Sequence, residues 1–131
     1  VSKLACRCGH VIVDQTDDLP YKAAILPDGQ EQEFFTGAAQ LANDLLVAAS
    51  AGKVDELLDR EYAKGPWRPQ PTEYFEDRLS SVYLACTSTA YECSRCGRLW
   101  LQKPGLEDFV SFAPDSGHYE AVLAVDNPLA D

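Results

Sequence analysis

The sequence predicts an α+β fold, and three observations carry that prediction. Short apolar stretches of strand character lie near both ends of the 131-residue chain, around residues 3–13 and 90–112. Between them, apolar residues recur in steps of four and three, which is the period of an α-helix. Two close pairs of cysteines, Cys6/Cys8 and Cys93/Cys96, stand inside the end segments. Anything that joined the pairs would bring the two ends together and leave the middle as a helical excursion.

The first knuckle, Cys6-Arg7-Cys8-Gly9-His10, is bracketed by apolar residues 3–6 and 11–13, and Tyr21–Leu26 reads as a third extended segment ending at Pro27. Asp14, Asp17, Asp18 and Pro20 make the stretch between them a polar loop. Asp28 with Glu31 three residues later resembles a capping box and opens a long helix. Along it Phe34, Ala38, Leu41, Leu45 and Ala48 form one apolar seam, and Phe35, Ala39, Ala42, Leu46 and Ala49 form a second beside it. A face that broad predicts packing against two neighbours. Gly37 interrupts it as a local weak point. Gly52 ends the helix, and a second helix over residues 53–64 carries Val54, Leu57, Leu58 and Tyr62 on one face.

Gly65-Pro66-Trp67-Arg68-Pro69-Gln70-Pro71 cannot continue that helix, because proline lacks the backbone donor and restricts the residue before it. Trp67 inside this connector is either a lid over the helices or an exposed anchor. Thr72 then suits the N-cap of a third helix through Phe75, Leu79, Val82, Tyr83 and Cys86, with a strand over 81–86 as the competing reading. Ala90–Glu92, Leu99–Gln102 and Phe109–Phe112 are the closing strands. His118–Val125 reads as a further strand or a short helix. The expected organisation is a single domain over 1–131, with a β ribbon from 1–27 and 89–131 and a helical insertion of about three helices over 28–88.

The cysteines supply the chemistry. Zinc prefers four sulfur or imidazole ligands in a tetrahedron, and paired cysteines on tight turns, each pair followed by a glycine, supply that geometry. The expected ligands are Cys6, Cys8, Cys93 and Cys96, with His10 able to replace Cys6 or Cys8. Four thiolates leave no open position for water or substrate, so the expected Zn2+ is structural and its loss should destabilise the whole chain. Cys86 is the fifth cysteine and reads as a buried, inert thiol. Lys3, Arg7, Arg95, Arg98 and Lys103 flank the cysteines, as neutralising neighbours of an anionic cluster would.

Cys93-Ser-Arg-Cys-Gly-Arg-Leu-Trp100, answered by Cys6–His10, resembles the zinc ribbon, in which two Cys-Gly knuckles on neighbouring hairpins share one metal. The first knuckle departs from that pattern, since one residue and not two separates Cys6 from Cys8. With Phe109–Asp115, the second half also resembles the tails of small bacterial zinc-ribbon proteins, some associated with toxin–immunity pairs. That resemblance implies a role in binding a protein and reaches no further residue.

Charge narrows the classes of function. With 21 acidic and 11 basic residues the formal charge is −10, which argues against general affinity for nucleic acid or anionic membranes. No apolar run is long enough for a membrane helix. The odd cysteine count and the lack of an apolar leader-like segment point to a reducing, cytoplasmic setting. There is no phosphate-binding loop, no His-Glu-x-x-His and no nucleophile beside a base, so the chain is expected not to be an enzyme. The leading expectation is an acidic inhibitor or immunity protein masking a basic bacterial toxin, with Asp44, Asp55, Glu56 and Asp59 as the partner-binding residues. The alternative is a zinc-ribbon adaptor that contacts nucleic acid or the transcription machinery through Arg7, Arg95, Arg98 and Lys103.

Overall fold

The computed structural model describes residues 2–62 and 67–125. Among these the chain forms three helices and two antiparallel sheets, an α+β fold, in the order β1 (Lys3–Ala5), β2 (Val11–Val13), β3 (Lys22–Ile25), α1 (Asp28–Ser50), α2 (Val54–Tyr62), α3 (Pro71–Cys86), β4 (Ser88–Glu92), β5 (Leu99–Gln102) and β6 (Phe109–Phe112). They divide into two compact units. One holds the described residues up to Ile25 and from Ser88 onward, and the other is Leu26–Thr87.

The strand unit contains a hairpin, β1–β2, and a four-stranded sheet of order β3-β4-β5-β6. Its topology explains how the helices are accommodated. β3 and β4 pair directly, Lys22 opposite Tyr91 and Ile25 opposite Ser88, although the whole helical unit lies between them in sequence. The helical unit is thus the connection of one oversized hairpin, acceptable because closure entropy grows only slowly with length. In β4, Ala90, Tyr91 and Glu92 are all buried and strict alternation is lost, because the sheet is covered on both sides there: Tyr91 packs with Cys6 and Ile12 of the hairpin, and the Glu92 carboxylate accepts from the Leu123 N–H of the C-terminal segment. The hairpin joins the core of this unit: Cys6 and Ile12 pack with Tyr91 and Cys93, and Leu4, Tyr21, Trp100 and Phe109 surround them.

The helical unit has its own core of Leu41, Leu57, Leu58 and Tyr74. α1 ends as expected in a Schellman turn: Gly52 takes φ +69°, its N–H reaches the Ala49 carbonyl, and the Lys53 N–H reaches Ala48. Its start differs, since the N-cap is Pro27 and Asp28 is already helical, with no side-chain cap. α3 begins earlier than expected. Gln70 and Glu73 form a reciprocal capping box that places Pro71 at the first helical position, where its missing N–H is harmless, and leaves Thr72 inside the first turn. Residues 81–86 are helical, so the competing strand does not form, and Cys86 is buried.

Three further expectations are corrected. Only the first seam of α1 is covered, with Leu41 buried, whereas Phe35 and Leu46 of the second seam are 58% and 68% exposed. Gly37 is more than a weak point, since a methyl group there would come within 2.9 Å of Val82 Cγ1, so the bare glycine lets α3 approach α1. Residues 118–125 form neither strand nor helix. Gly117 and Ala121 take positive φ, and a turn closes from the Ala124 N–H to the Ala121 carbonyl. The expected end of the second helix at Lys64, and Gly65-Pro66 of the connector, lie outside the described residues. No helix among the described residues is long and apolar enough to cross a membrane.

Candidate metal centre

The two cysteine pairs occupy equivalent places on two hairpins. Cys6 and Cys8 lie in the turn between β1 and β2, Cys93 and Cys96 in the turn between β4 and β5. Each turn is closed in the same way despite the different spacing. The Cys6 N–H donates to the His10 carbonyl at 2.8 Å and the Gly9 N–H to the Cys6 carbonyl at 3.0 Å. Correspondingly, the Cys93 N–H donates to the Arg98 carbonyl at 2.9 Å and the Gly97 N–H to the Cys93 carbonyl at 2.8 Å. Gly9 and Gly97 take φ of +97° and +82°, a conformation that side chains with a Cβ rarely adopt.

These turns bring four sulfurs together. Cys6 Sγ lies 3.6 Å from Cys96 Sγ, Cys8 Sγ lies 3.6 Å from Cys93 Sγ, and all four are within 4.8 Å of one another. All are free thiols. The four cysteines expected as ligands therefore converge at a distance at which one metal ion can be shared. His10 is not part of this group; the first knuckle uses its backbone carbonyl. Cys6 and Cys93 are buried and form the floor, while Cys8 and Cys96 are nearer to solvent.

The surroundings favour sulfur in its anionic form unevenly. Burial alone would raise the Cys6 thiol, but the Cys8 backbone N–H, the Trp100 indole N–H and the neighbouring thiols outweigh it and bring Cys6 down to about 6. The indole reaches Cys6 Sγ from Nε1 at 3.4 Å. Burial pushes Cys93 up to about 12 against the N–H groups of Cys96 and Arg95, and it raises Cys96 against the N–H of Arg98. Four thiolates this close together repel one another strongly unless a cation lies among them. A bound cation would favour the thiolate form of all four, because its charge would be the largest in the site.

Asp14, read from the sequence as one acid of a polar loop, ties the hairpin to the sheet beside this cluster. Its carboxylate pairs with Lys22 of β3 at 2.7 Å and accepts from the Tyr91 hydroxyl of β4, while Tyr21 donates its hydroxyl to the Val13 carbonyl. Burial opposes ionisation of Asp14, but Lys22 and Tyr91 prevail and hold it below its ordinary value of 3.8. The carboxylate therefore contributes stability that is present above that value and is lost only as pH falls through the lower, native one. Asp14→Asn is expected to destabilise the chain by about 1–3 kcal/mol at neutral pH, because it leaves Lys22 without its counter-charge. Equal denaturant midpoints for wild type and variant would remove this role.

The four acids expected to bind a partner are not grouped as one free surface. Asp55 and Asp59 of α2 both pair with Arg68, the former at 3.1 Å. Asp44 accepts from Gln40 at 2.9 Å and shares a shallow cleft with Glu56, Lys53 and Arg60. Part of the acidity is thus neutralised within the helical unit. Trp67 is 62% exposed and meets Tyr62 edge-on at 5.9 Å. Of the bases near the cysteines, Arg98 is engaged with Ser111 at 3.1 Å.

The chain belongs to a family defined by a domain of unknown function, DUF8617, whose model matches residues 2–116. The match spans both knuckles and the whole helical unit, and ends just before the segment at His118–Tyr119 that lies over Gly97. No curated protein and no solved structure matches the chain.

Proposed function

We propose that this protein is a non-enzymatic protein-binding module whose strand unit is clasped by one structural zinc ion. The convergence of the four sulfurs carries the reading. A tetrahedral ion with Zn–S bonds of about 2.3 Å places its sulfurs roughly 3.8 Å apart, against the 3.6 Å found for the two pairs. The donor set is soft, the N–H groups of Cys8, Arg95, Cys96, Arg98 and Trp100 point at the sulfurs, and knuckles on two hairpins support the resemblance to a zinc ribbon. Four cysteines complete the tetrahedron, which favours a structural over a catalytic ion.

The net charge of −10 supports a basic protein as the partner over nucleic acid. Neither the family match nor the site geometry adds anything in favour of a toxin as that partner. Elemental analysis of protein purified without added metal tests the site: one equivalent of zinc per chain is expected, with Cys6, Cys8, Cys93 and Cys96 protected from thiol reagents. Less than about half an equivalent, or four thiols that react freely in the folded chain, would overturn the reading.

A further inference from the structure

The second seam of α1 is patterned for packing, yet Phe35, Ala39, Leu46 and Ala49 are exposed and only Ala42 is half-buried. Phe35, Ala39, Ala42, Leu46 and Ala49 follow one another at intervals of four and three, as residues do along the contact line of two helices. Three of the five are alanines, which let a neighbouring backbone approach closely. At its C-terminal end the seam runs into an apolar cleft of about 450 Å³, where Leu46 and Ala49 face Val54, Pro71 and Phe75. Seam and cleft together form one apolar strip long enough to lie along several turns of helix.

Charge selects the occupant. Asp28 and Glu31 continue the strip at the N-terminal end of α1, and Glu76 stands in the wall of the cleft, so the strip is acidic at both ends. Residues 26–87 carry eleven Asp and Glu against five Lys and Arg. A second copy of this chain would bring two surfaces of like charge together, which opposes self-association. From these observations we infer that the apolar strip from Phe35 into the cleft at Phe75 is a docking site for an amphipathic helix of a partner protein, with apolar residues on one face and lysine or arginine on the flanks. This rests on the binding-module reading and gives it a place and a partner chemistry. It also shifts the expected surface from Asp55 and Asp59, already paired with Arg68, to the apolar side of α1.

The test uses the zinc-loaded full chain and a fluorescent model helix of about 18 residues with leucine on one face and lysine on the other. Saturable binding is expected by anisotropy, with no binding of the leucine–glutamate counterpart. Leu46→Glu should weaken binding by about tenfold or more, and Phe35→Ser should weaken it also, while Leu84→Glu, elsewhere on the helical surface, stays within about twofold. The choice of glutamate separates the two contributions. If attraction were only electrostatic, added negative charge at Leu46 would tighten binding. Leu46 and Phe35 are exposed, so both variants should fold, and circular dichroism and melting check each one.

Absence of saturable binding would overturn the inference, as would unchanged or tighter binding by Leu46→Glu. So would a dimer in sedimentation that Leu46→Glu dissolves, because the occupant would then be a second copy, or binding to anionic vesicles in place of the peptide. A natural protein partner whose complex survives Leu46→Glu unchanged would leave the binding-module reading standing and remove only this site.

Discussion

Removing the metal should unravel the strand unit while leaving most of the helical signal in place. The four cysteines come from two hairpins that are far apart in sequence, and Cys6 and Cys93 are themselves part of the strand unit's core. Metal affinity realised only in the folded state is folding free energy, and apparent values for structural zinc in small domains reach about 10–16 kcal/mol. The helical core of Leu41, Leu57, Leu58 and Tyr74 contains no cysteine ligand. Chelation under reducing conditions should therefore abolish the near-ultraviolet signal of Trp100, whose indole touches Cys6, with a much smaller loss of helical ellipticity. Cys93→Ser should reproduce this, at roughly 3 kcal/mol or more. Cys86→Ser, in the helical unit, should cost less and leave the Trp100 signal unchanged. Cooperative loss of both signals on chelation would show that the units do not melt separately, and equal effects of the two serine variants would mean that Cys93 holds no metal.

That expected separation is narrower than the reading that metal loss destabilises the whole chain, and it rests on two cores that were only partly legible in the sequence. The knuckles were legible because each is local: two cysteines, a glycine and the flanking strands lie within residues 3–13 and 88–102. The helices were legible because their period is local too. Which of α1's two seams would be covered was not, since Phe34 and Phe35, or Leu45 and Leu46, are equivalent in pattern and only the positions of α2 and α3 distinguish them. The existence of two cores depends on the same tertiary choice.

Asp14 was hidden for a related reason. Its partners Lys22 and Tyr91 stand 8 and 77 positions away, and in sequence it is one of three aspartates in a polar loop. At the start of α3, local propensity misled: Thr72 is the better capping residue, but the reciprocal bonds between Gln70 and Glu73, with Pro71 between them, set the boundary two residues earlier. His118–Val125, read as a strand or a short helix, is neither, because Gly117 and Ala121 at positive φ turn the chain back across the second knuckle.

That crossing makes Gly97→Ala a strongly damaging substitution in the strand unit, although it removes no expected metal ligand. A Cβ at Gly97 would lie 2.5 Å from the His118 carbonyl oxygen and 2.9 Å from the Tyr119 Cα, both backbone atoms that no rotamer change can move aside. The residue also needs φ +82°, which costs an alanine roughly 1–2 kcal/mol before any contact is considered. Overpacking adds about 1–3 kcal/mol, so a total of roughly 2–5 kcal/mol is expected. Gly9 provides the internal control. It holds the same place in the first knuckle, at φ +97°, but has no atom within 4 Å of a built Cβ, so Gly9→Ala should show only the conformational part. Denaturant unfolding of both variants at saturating zinc measures the difference, which reports the packing of the 118–119 backbone on the knuckle. In a chain ending at Ser116 the two variants should converge, because the overlying backbone is gone. Equal losses for Gly9→Ala and Gly97→Ala in the full chain would mean that the segment does not rest on Gly97 in solution, and a gap that persists after truncation would place its origin inside the knuckle itself.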